Sequence, residues 1–149
     1  MTDDGLDALP WRTIRGEGFN AHLGPVEIAR RGGNGGDDAW IGRLDLDPRH
    51  INVGGVCHGG VLMSLADITM GTATYEAGGG HPCATIEMDC HFLAAAKRGQ
   101  RLLAVATQLR RVRGLSFMEC RLEAGGRPVM RASGLWKYLD SRAPGQSGP

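Results

Sequence analysis

The chain has 149 residues, a formal net charge of +1, and 22% charged against 42% hydrophobic residues. That length suits one domain with a real core, and the near-neutral charge supplies no basic field for nucleic acid. No apolar run approaches the roughly 18 residues that span a membrane, so no membrane partner is expected.

The first residues, MTDDGLDALPW, are acidic and lack the basic start and apolar stretch of a secretory signal. A cytoplasmic protein is therefore expected. Cys57, Cys83, Cys90 and Cys120 are scattered without a C-x-x-C pair, which predicts reduced thiols rather than a disulfide framework. Residues 1–18 read as a flexible leader, 19–139 as the folded domain and 140–149 as a disordered tail.

Within the domain, Phe19 to Leu23, closed by Gly24-Pro25, reads as a short helix, and Val26 to Arg30 as a weak strand. Arg31 to Asp38, RGGNGGDD, reads as a hairpin connection. It lacks the G-K-[ST] ending that would set a lysine and a hydroxyl against a phosphate. Ala39 to Leu46 alternates, with Trp40, Leu44 and Leu46 on one face and Arg43 and Asp45 on the other. This predicts a half-buried strand that Asp47-Pro48 ends.

The stretch from Asn52 to Tyr75, NVGGVCHGGVLMSLADITMGTATY, organises the rest. Val61 to Tyr75 reads as a helix that is apolar nearly all round, and such a helix is buried on most sides. Gly78-Gly79-Gly80 stops it. Asp67 is the only formal charge between His58 and Glu76. A carboxylate leaving water costs several kcal/mol, on the order of the whole benefit of a buried side chain, so Asp67 needs a partner or a polar cavity. Upstream, His58-Gly59-Gly60 offers a helix start whose bare amides can approach an anion or a developing oxyanion.

Strands follow. Cys83 to Phe92 sets Ala84, Ile86, Met88, Cys90 and Phe92 against Thr85, Glu87, Asp89 and His91. Lys97-Arg98-Gly99 marks a turn, and Arg101 to Val112 is read with Leu103, Val105 and Leu109 inward. Leu115 to Glu123 alternates again, Gly125-Gly126 is a hairpin signal, and Val129 to Leu139 groups Met130, Ala132, Trp136 and Tyr138. Two strands, a long apolar helix and four strands predict an α+β fold, an antiparallel sheet wrapped around the helix.

Several chemistries can be weighed on these residues alone. Asp67 is either a structural carboxylate capped by Ser64 or Thr69, or the acid of a hydrolytic site. His58 is a capping histidine or a supporting site residue, and Asn52 a turn residue or a site residue. Cys57-His58 and Cys90-His91 lack the local spacing of zinc ligands, and no metal is expected. Arg110, Arg111 and Arg113 are a solvated strand end or, with Arg111 and Arg113 on one face beside Gly114, a phosphate contact.

The pattern N-x-x-G-x-x-H-G-G from Asn52 to Gly60, with an aspartate nine residues after the histidine, resembles the hotdog-fold acyl-CoA thioesterases, and most of all their phenylacetate-pathway, PaaI-like branch. The resemblance covers residues 19–139 and continues through ATIEMDCHFLAAAKRGQRL and RRVRGLSFMECRLEAGGRPVMRASGLW. It implies an acyl-CoA substrate and no separate cofactor, CoA being part of the substrate. It casts Asp67 as general base or nucleophile and the Gly59 amide as the group that polarises the thioester carbonyl. Asn52 and His58 would orient the carbonyl or the water, and Thr85 would position water beside the acid. Arg110, Arg111, Arg113, Gly114 and Leu115 would hold the CoA nucleotide, with Phe92 among the binding residues.

His58 and Asp67 would lie about 13 Å apart along one helix. Serving one carbonyl, they must come from different protomers, in agreement with the homodimers with shared sites that the resemblance implies, paired again as a dimer of dimers. Two rival readings keep the same pocket: a non-catalytic acyl-CoA sensor and an acyl-thioester dehydratase. The acyl group stays open between aromatic and aliphatic.

Overall fold

Residues 62, 65, 66, 69, 70 and 73 are apolar or small and recur at helical spacing, and between Gly59 and Ala77 they form one buried stripe. The computed structural model describes residues 5–32 and 38–140. In chain order it holds β1 (Arg12–Thr13), α1 (Phe19–Leu23), β2 (Glu27–Arg31), β3 (Ala39–Asp45), α2 (Gly59–Ala77), β4 (Cys83–Phe92), β5 (Arg101–Val112), β6 (Leu115–Ala124) and β7 (Arg127–Tyr138). The seven strands form one antiparallel sheet in the order β1-β2-β3-β5-β6-β7-β4, with α2 against its inner face. This is the hotdog arrangement expected.

Helix α2 extends two residues past the predicted span at each end. His58 caps its start and Gly78 its end. Its contact with β3 is close because Gly42 has no side chain: a Cβ there would stand 2.2 Å from Thr69 Oγ1. Leu65, Ala66 and Met70 are fully buried between helix and sheet. A large apolar side chain buried this way contributes about 1.5–3 kcal/mol. The opposite strip of α2 is not covered: Met63 and Tyr75 are exposed, and Ser64, Asp67, Ile68, Gly71 and Thr72 are half-buried.

Three expectations about strand faces and edges change. On β5, the residues against the helix are Leu102, Ala104 and Ala106, while Leu103 and Val105 face outward and Leu109 is exposed. Val105 is buried and Leu103 half-buried all the same, because Leu6, Leu9 and Trp11 cluster with them, together with Ala39 and Ile41. A central strand covered on both faces carries two apolar sets, and size alone does not say which faces the helix. A bulge between Gln108 and Arg110 leaves Leu109 without a partner on β6.

On β4, a bulge between Thr85 and Glu87 leaves Ile86 unpaired. Cys83 and Thr85 face the helix before it; Met88 and Cys90 pack on the core after it. The single alternation predicted for Cys83–Phe92 is therefore broken in the middle, as one extra residue inverts the parity of everything beyond it.

The described part of the expected leader packs onto the domain. Arg12 and Thr13 pair with Ile28 and Glu27, and Trp11 Nε1 donates to Leu6 O at 2.8 Å. Three strands therefore precede α2, not two. The predicted connection 33–37 and the tail 141–149 lie outside the described residues. The turns read from glycine hold: Gly99, Gly125 and Gly126 adopt φ of 82, 58 and 74°.

Candidate active site

The start of α2 is shaped by two histidines. Asp47, Pro48 and His50 make a capped 3₁₀ turn, in which the His50 Nδ1 accepts from Asp47 N at 3.0 Å. That leaves Nε2 as the donor to Leu23 O, 2.5 Å away, so a buried imidazole ties α1 to the loop. The backbone carbonyl of His50 in turn receives His58 N–H at 2.8 Å. Asn52 Oδ1 accepts from Gly54 N at 2.8 Å and Val56 N at 3.3 Å, closing the glycine loop on itself. Asn52 thus holds its own turn, and its oxygen is occupied there.

His58 is exposed, and its Nδ1 accepts from Gly60 N at 2.9 Å. Val61 N donates to His58 O. The bare amides expected at this helix start are therefore reduced to one: Gly59 N–H has no acceptor among the described residues. Phe92 packs beside Gly59, where an added Cβ would meet the phenyl ring at 3.1 Å.

Asp67 is half-buried and accepts from Thr85 Oγ1 at 2.6 Å. The predicted neighbours are thereby brought together, and the β4 bulge is what turns Thr85 inward. Neither Ser64 nor Thr69 caps the carboxylate: their hydroxyls donate to Gly60 O at 2.6 Å and Leu65 O at 2.7 Å. With Oδ1 engaged by Thr85, Asp67 Oδ2 remains open. The carboxylate stands between two recesses. One, of about 730 Å³, runs past Ile14, Ile68, Gly71, Tyr75, Cys83 and Trp136. The other, of about 240 Å³, lies toward Phe19, Met63 and Met88.

The arginine segment is at the far end of α2. The strand stops at Val112, so Arg111 and Arg113 do not share a strand face as expected; Arg113 (φ 47°) and Gly114 (φ 79°) make the turn, with half-buried Leu115 just past it. Arg111 is also engaged: it donates to Ala77 O at 3.2 Å and stacks 4.4 Å from the Tyr138 ring centroid, a cation at a helix C-terminus. Arg110 and Arg113 are exposed and have no partner among the described residues.

One protomer therefore separates the predicted site residues into three groups along α2: Asn52, His58, Gly59 and Phe92 at its start, Asp67 and Thr85 in its middle, and Arg110 to Leu115 at its end. The first two are about 12 Å apart along the axis. His50, Gly71 and Trp136 were not singled out as site residues from the sequence; only His50 has a local signal, the Asp-Pro-x-His capping pattern.

The cysteines are poor nucleophiles in this setting. Burial pushes the Cys57 thiol up to about 11 and Cys120 up to about 12, and raises Cys83 and Cys90 as well. Among the described residues no three His, Cys, Asp or Glu side chains gather as a metal site, and no helix is long and apolar enough to cross a membrane.

Known proteins share this fold and part of the sequence. The model of the thioesterase superfamily matches residues 54–130. A Pseudomonas aeruginosa protein named "Putative esterase PA0474" is 34% identical over 95 residues, which cover 62% of this chain and 70% of its own. Zebra fish thioesterase superfamily member 2 superposes with a TM-score of 0.69 at 25% identity, over 83% of this chain and 88% of its own. At 20% identity the fold alone is shared with a Streptococcus pneumoniae hypothetical thioesterase solved with coenzyme A (TM-score 0.66; 78% and 91% covered). The same holds at 18% for a mutant of the phenylacetic acid degradation protein PaaI from Thermus thermophilus (TM-score 0.64; 92% and 100% covered).

Proposed function

This chain belongs to the thioesterase superfamily, and from that membership we propose that it hydrolyses an acyl-CoA thioester to the free acid and CoA, with Asp67 as the reacting carboxylate. The observation that carries the proposal is the Asp67–Thr85 pair, an acid in an apolar helix with one oxygen held at 2.6 Å and the other open to a groove. In the general-base route, Asp67 Oδ2 takes a proton from water as its oxygen adds to the carbonyl carbon. The carbonyl oxygen becomes an oxyanion, which the Gly59 N–H and the α2 dipole stabilise. Collapse breaks the C–S bond, and the CoA thiolate takes the proton from Asp67. In the nucleophilic route Asp67 adds directly, collapse of the adduct breaks the C–S bond and expels the CoA thiolate, and water then hydrolyses the mixed anhydride, returning the Asp67 carboxylate and supplying the proton that the thiolate takes up. His58 serves this site by fixing the first turn, Asn52 by fixing the loop before it.

The 12 Å between Gly59 and Asp67 is too long for one carbonyl, so the reading requires a second protomer. Strand β4 supplies the means. It is a ten-residue sheet edge, paired with β7 on one side and with no strand on the other among the described residues, and Phe92 on it is 53% exposed. Pairing two β4 edges about a two-fold axis removes the open edge and brings each Asp67 toward the other protomer's helix start. A dimer of dimers would repeat this unit. Coenzyme A bound to the Streptococcus pneumoniae protein supports CoA as the thiol. Its phosphates would be met by Arg110 and Arg113, while Arg111 and Leu115 shape the turn and Phe92 packs beside Gly59. Four free thiols suit the reducing cytoplasm proposed as its compartment.

Thiol release from a panel of acyl-CoAs tests this reading. Asp67→Asn is expected to lower kcat by at least about 100-fold, in the range of acid–base groups, without lowering the melting temperature. Tight binding with no release from any substrate would replace it with the sensor reading.

A further inference from the structure

The floor of the larger groove contains a polar group that the proposed mechanism does not use. Trp136 is 1% exposed, and its indole N–H has no acceptor among the described residues. Nor is it a sealed, unsatisfied atom. The ring lines the groove, as does Gly71, and the N–H lies on the Gly71 side of the ring. Its orientation is fixed from both sides. The benzo edge lies over Gly134, where a Cβ would stand 2.6 Å from Cζ3, and Nε1 lies 3.4 Å from where a Cβ would stand on Gly71.

The absent Gly71 side chain leaves the N–H uncovered. Gly71 is four residues after Asp67 and on the same helical strip, and Trp136 pairs directly across from Thr85. The donor therefore stands about one helical turn, roughly 6 Å, beyond the Asp67–Thr85 pair. The groove lining around it is mixed, with Ile14, Ile68 and Cys83 beside Arg12, Arg15, Asn20 and Thr72. A buried donor without an acceptor costs free energy that an acceptor on a bound group returns.

We propose that the Trp136 indole N–H is a specificity determinant, selecting acyl groups that carry an uncharged oxygen acceptor (ether, carbonyl or hydroxyl) about 6 Å from the thioester carbonyl. This rests on the thioesterase reading of the same groove. A site that offers a hydrogen-bond donor rejects the analogue lacking the acceptor more strongly than an apolar wall discriminates by size.

The test compares thioesters matched in shape but for one oxygen: 4-methoxybenzoyl- against 4-ethylbenzoyl-CoA, and 5-oxohexanoyl- against hexanoyl-CoA. Wild type is expected to favour the oxygenated member by about tenfold in kcat/KM. Trp136→Phe should bring the ratio to about one. Because that substitution opens space in the core, Gly71→Ala is the second variant. Alanine is favoured over glycine in a helix by about 1 kcal/mol, so the fold is retained while the new methyl covers the N–H and the ratio again falls.

An activity-independent readout is the indole ¹H–¹⁵N resonance of Trp136, distinguished from Trp11 and Trp40 by its loss in Trp136→Phe. It should move on binding the thioether analogue of the methoxy compound and not on binding that of the ethyl compound. Asp67-dependent hydrolysis with a ratio near one in wild type, or equal resonance shifts with both analogues, overturns the inference and leaves the thioesterase reading intact. No thiol release from any substrate sinks that reading, and a selective indole shift would still establish the oxygen contact.

Discussion

Much of this site is carried by side chains that never meet the substrate. His50 has both ring nitrogens committed, to Asp47 N and Leu23 O, and its carbonyl holds His58 N–H. It therefore connects α1, the glycine loop and the start of α2. His50→Leu keeps the volume but leaves a buried amide and a buried carbonyl unpaired. It should cost about 2–4 kcal/mol of unfolding free energy, read by urea titration. A loss under about 0.5 kcal/mol would mean that water replaces both bonds. The Asp67–Thr85 contact was legible only through the resemblance to a family, since alternation alone put Thr85 on the strand face opposite Met88. Trp136 was legible as a core residue; its free N–H was not, because it depends on Gly71 lying beside it.

At the scale of elements, glycine and helical periodicity were reliable guides. The span of α1 was read to the residue, and α2 was placed within two residues at each end. What periodicity missed was the bulges, among them those at Ile86 and Leu109, and the double-sided strand β5. A bulge adds one residue without a compositional signature and inverts parity beyond it. The bulge at Ile86 has a functional consequence, because it lets Thr85 and Met88 face the same helix. Deleting Ile86 restores regular alternation and must turn one of them outward. The deletion is expected to abolish thiol release, whereas Ile86→Ser, which keeps the bulge on an exposed position, should stay within about threefold of wild-type kcat/KM, as surface substitutions do. Full activity in the deletion variant would show that Thr85 is not needed inward.

For the molecule as a whole, the proposed catalysis is one that a single protomer cannot complete. Its sheet ends in β4, whose outer edge has no partner among the described residues, one strip of α2 is uncovered, and Gly59 and Asp67 are a helical distance apart that no side chain spans. Each deficiency would be met by a second copy, which is why the oligomer belongs to the proposed catalysis and not only to stability. The same point explains the limits of reading the sequence. Spacing along α2 separates His58 and Gly59 from Asp67 and so implies two chains, but the surface proposed to join them, the β4 edge, is visible only once the strand order is known.

Subunit mixing tests this most directly. Asp67→Asn lacks the acid in both sites of its dimer, and Gly59→Ala, whose new methyl runs into Phe92, disturbs the oxyanion donor in both. Each homodimer should release thiol at least about 100-fold more slowly than wild type. Unfolding and refolding the two together forms mixed dimers, each with one site that draws intact Gly59 from one chain and intact Asp67 from the other. With random pairing, about a quarter of wild-type activity should return. If mixing restores nothing while mixed dimers demonstrably form, the two groups act within one chain, and the shared site is wrong.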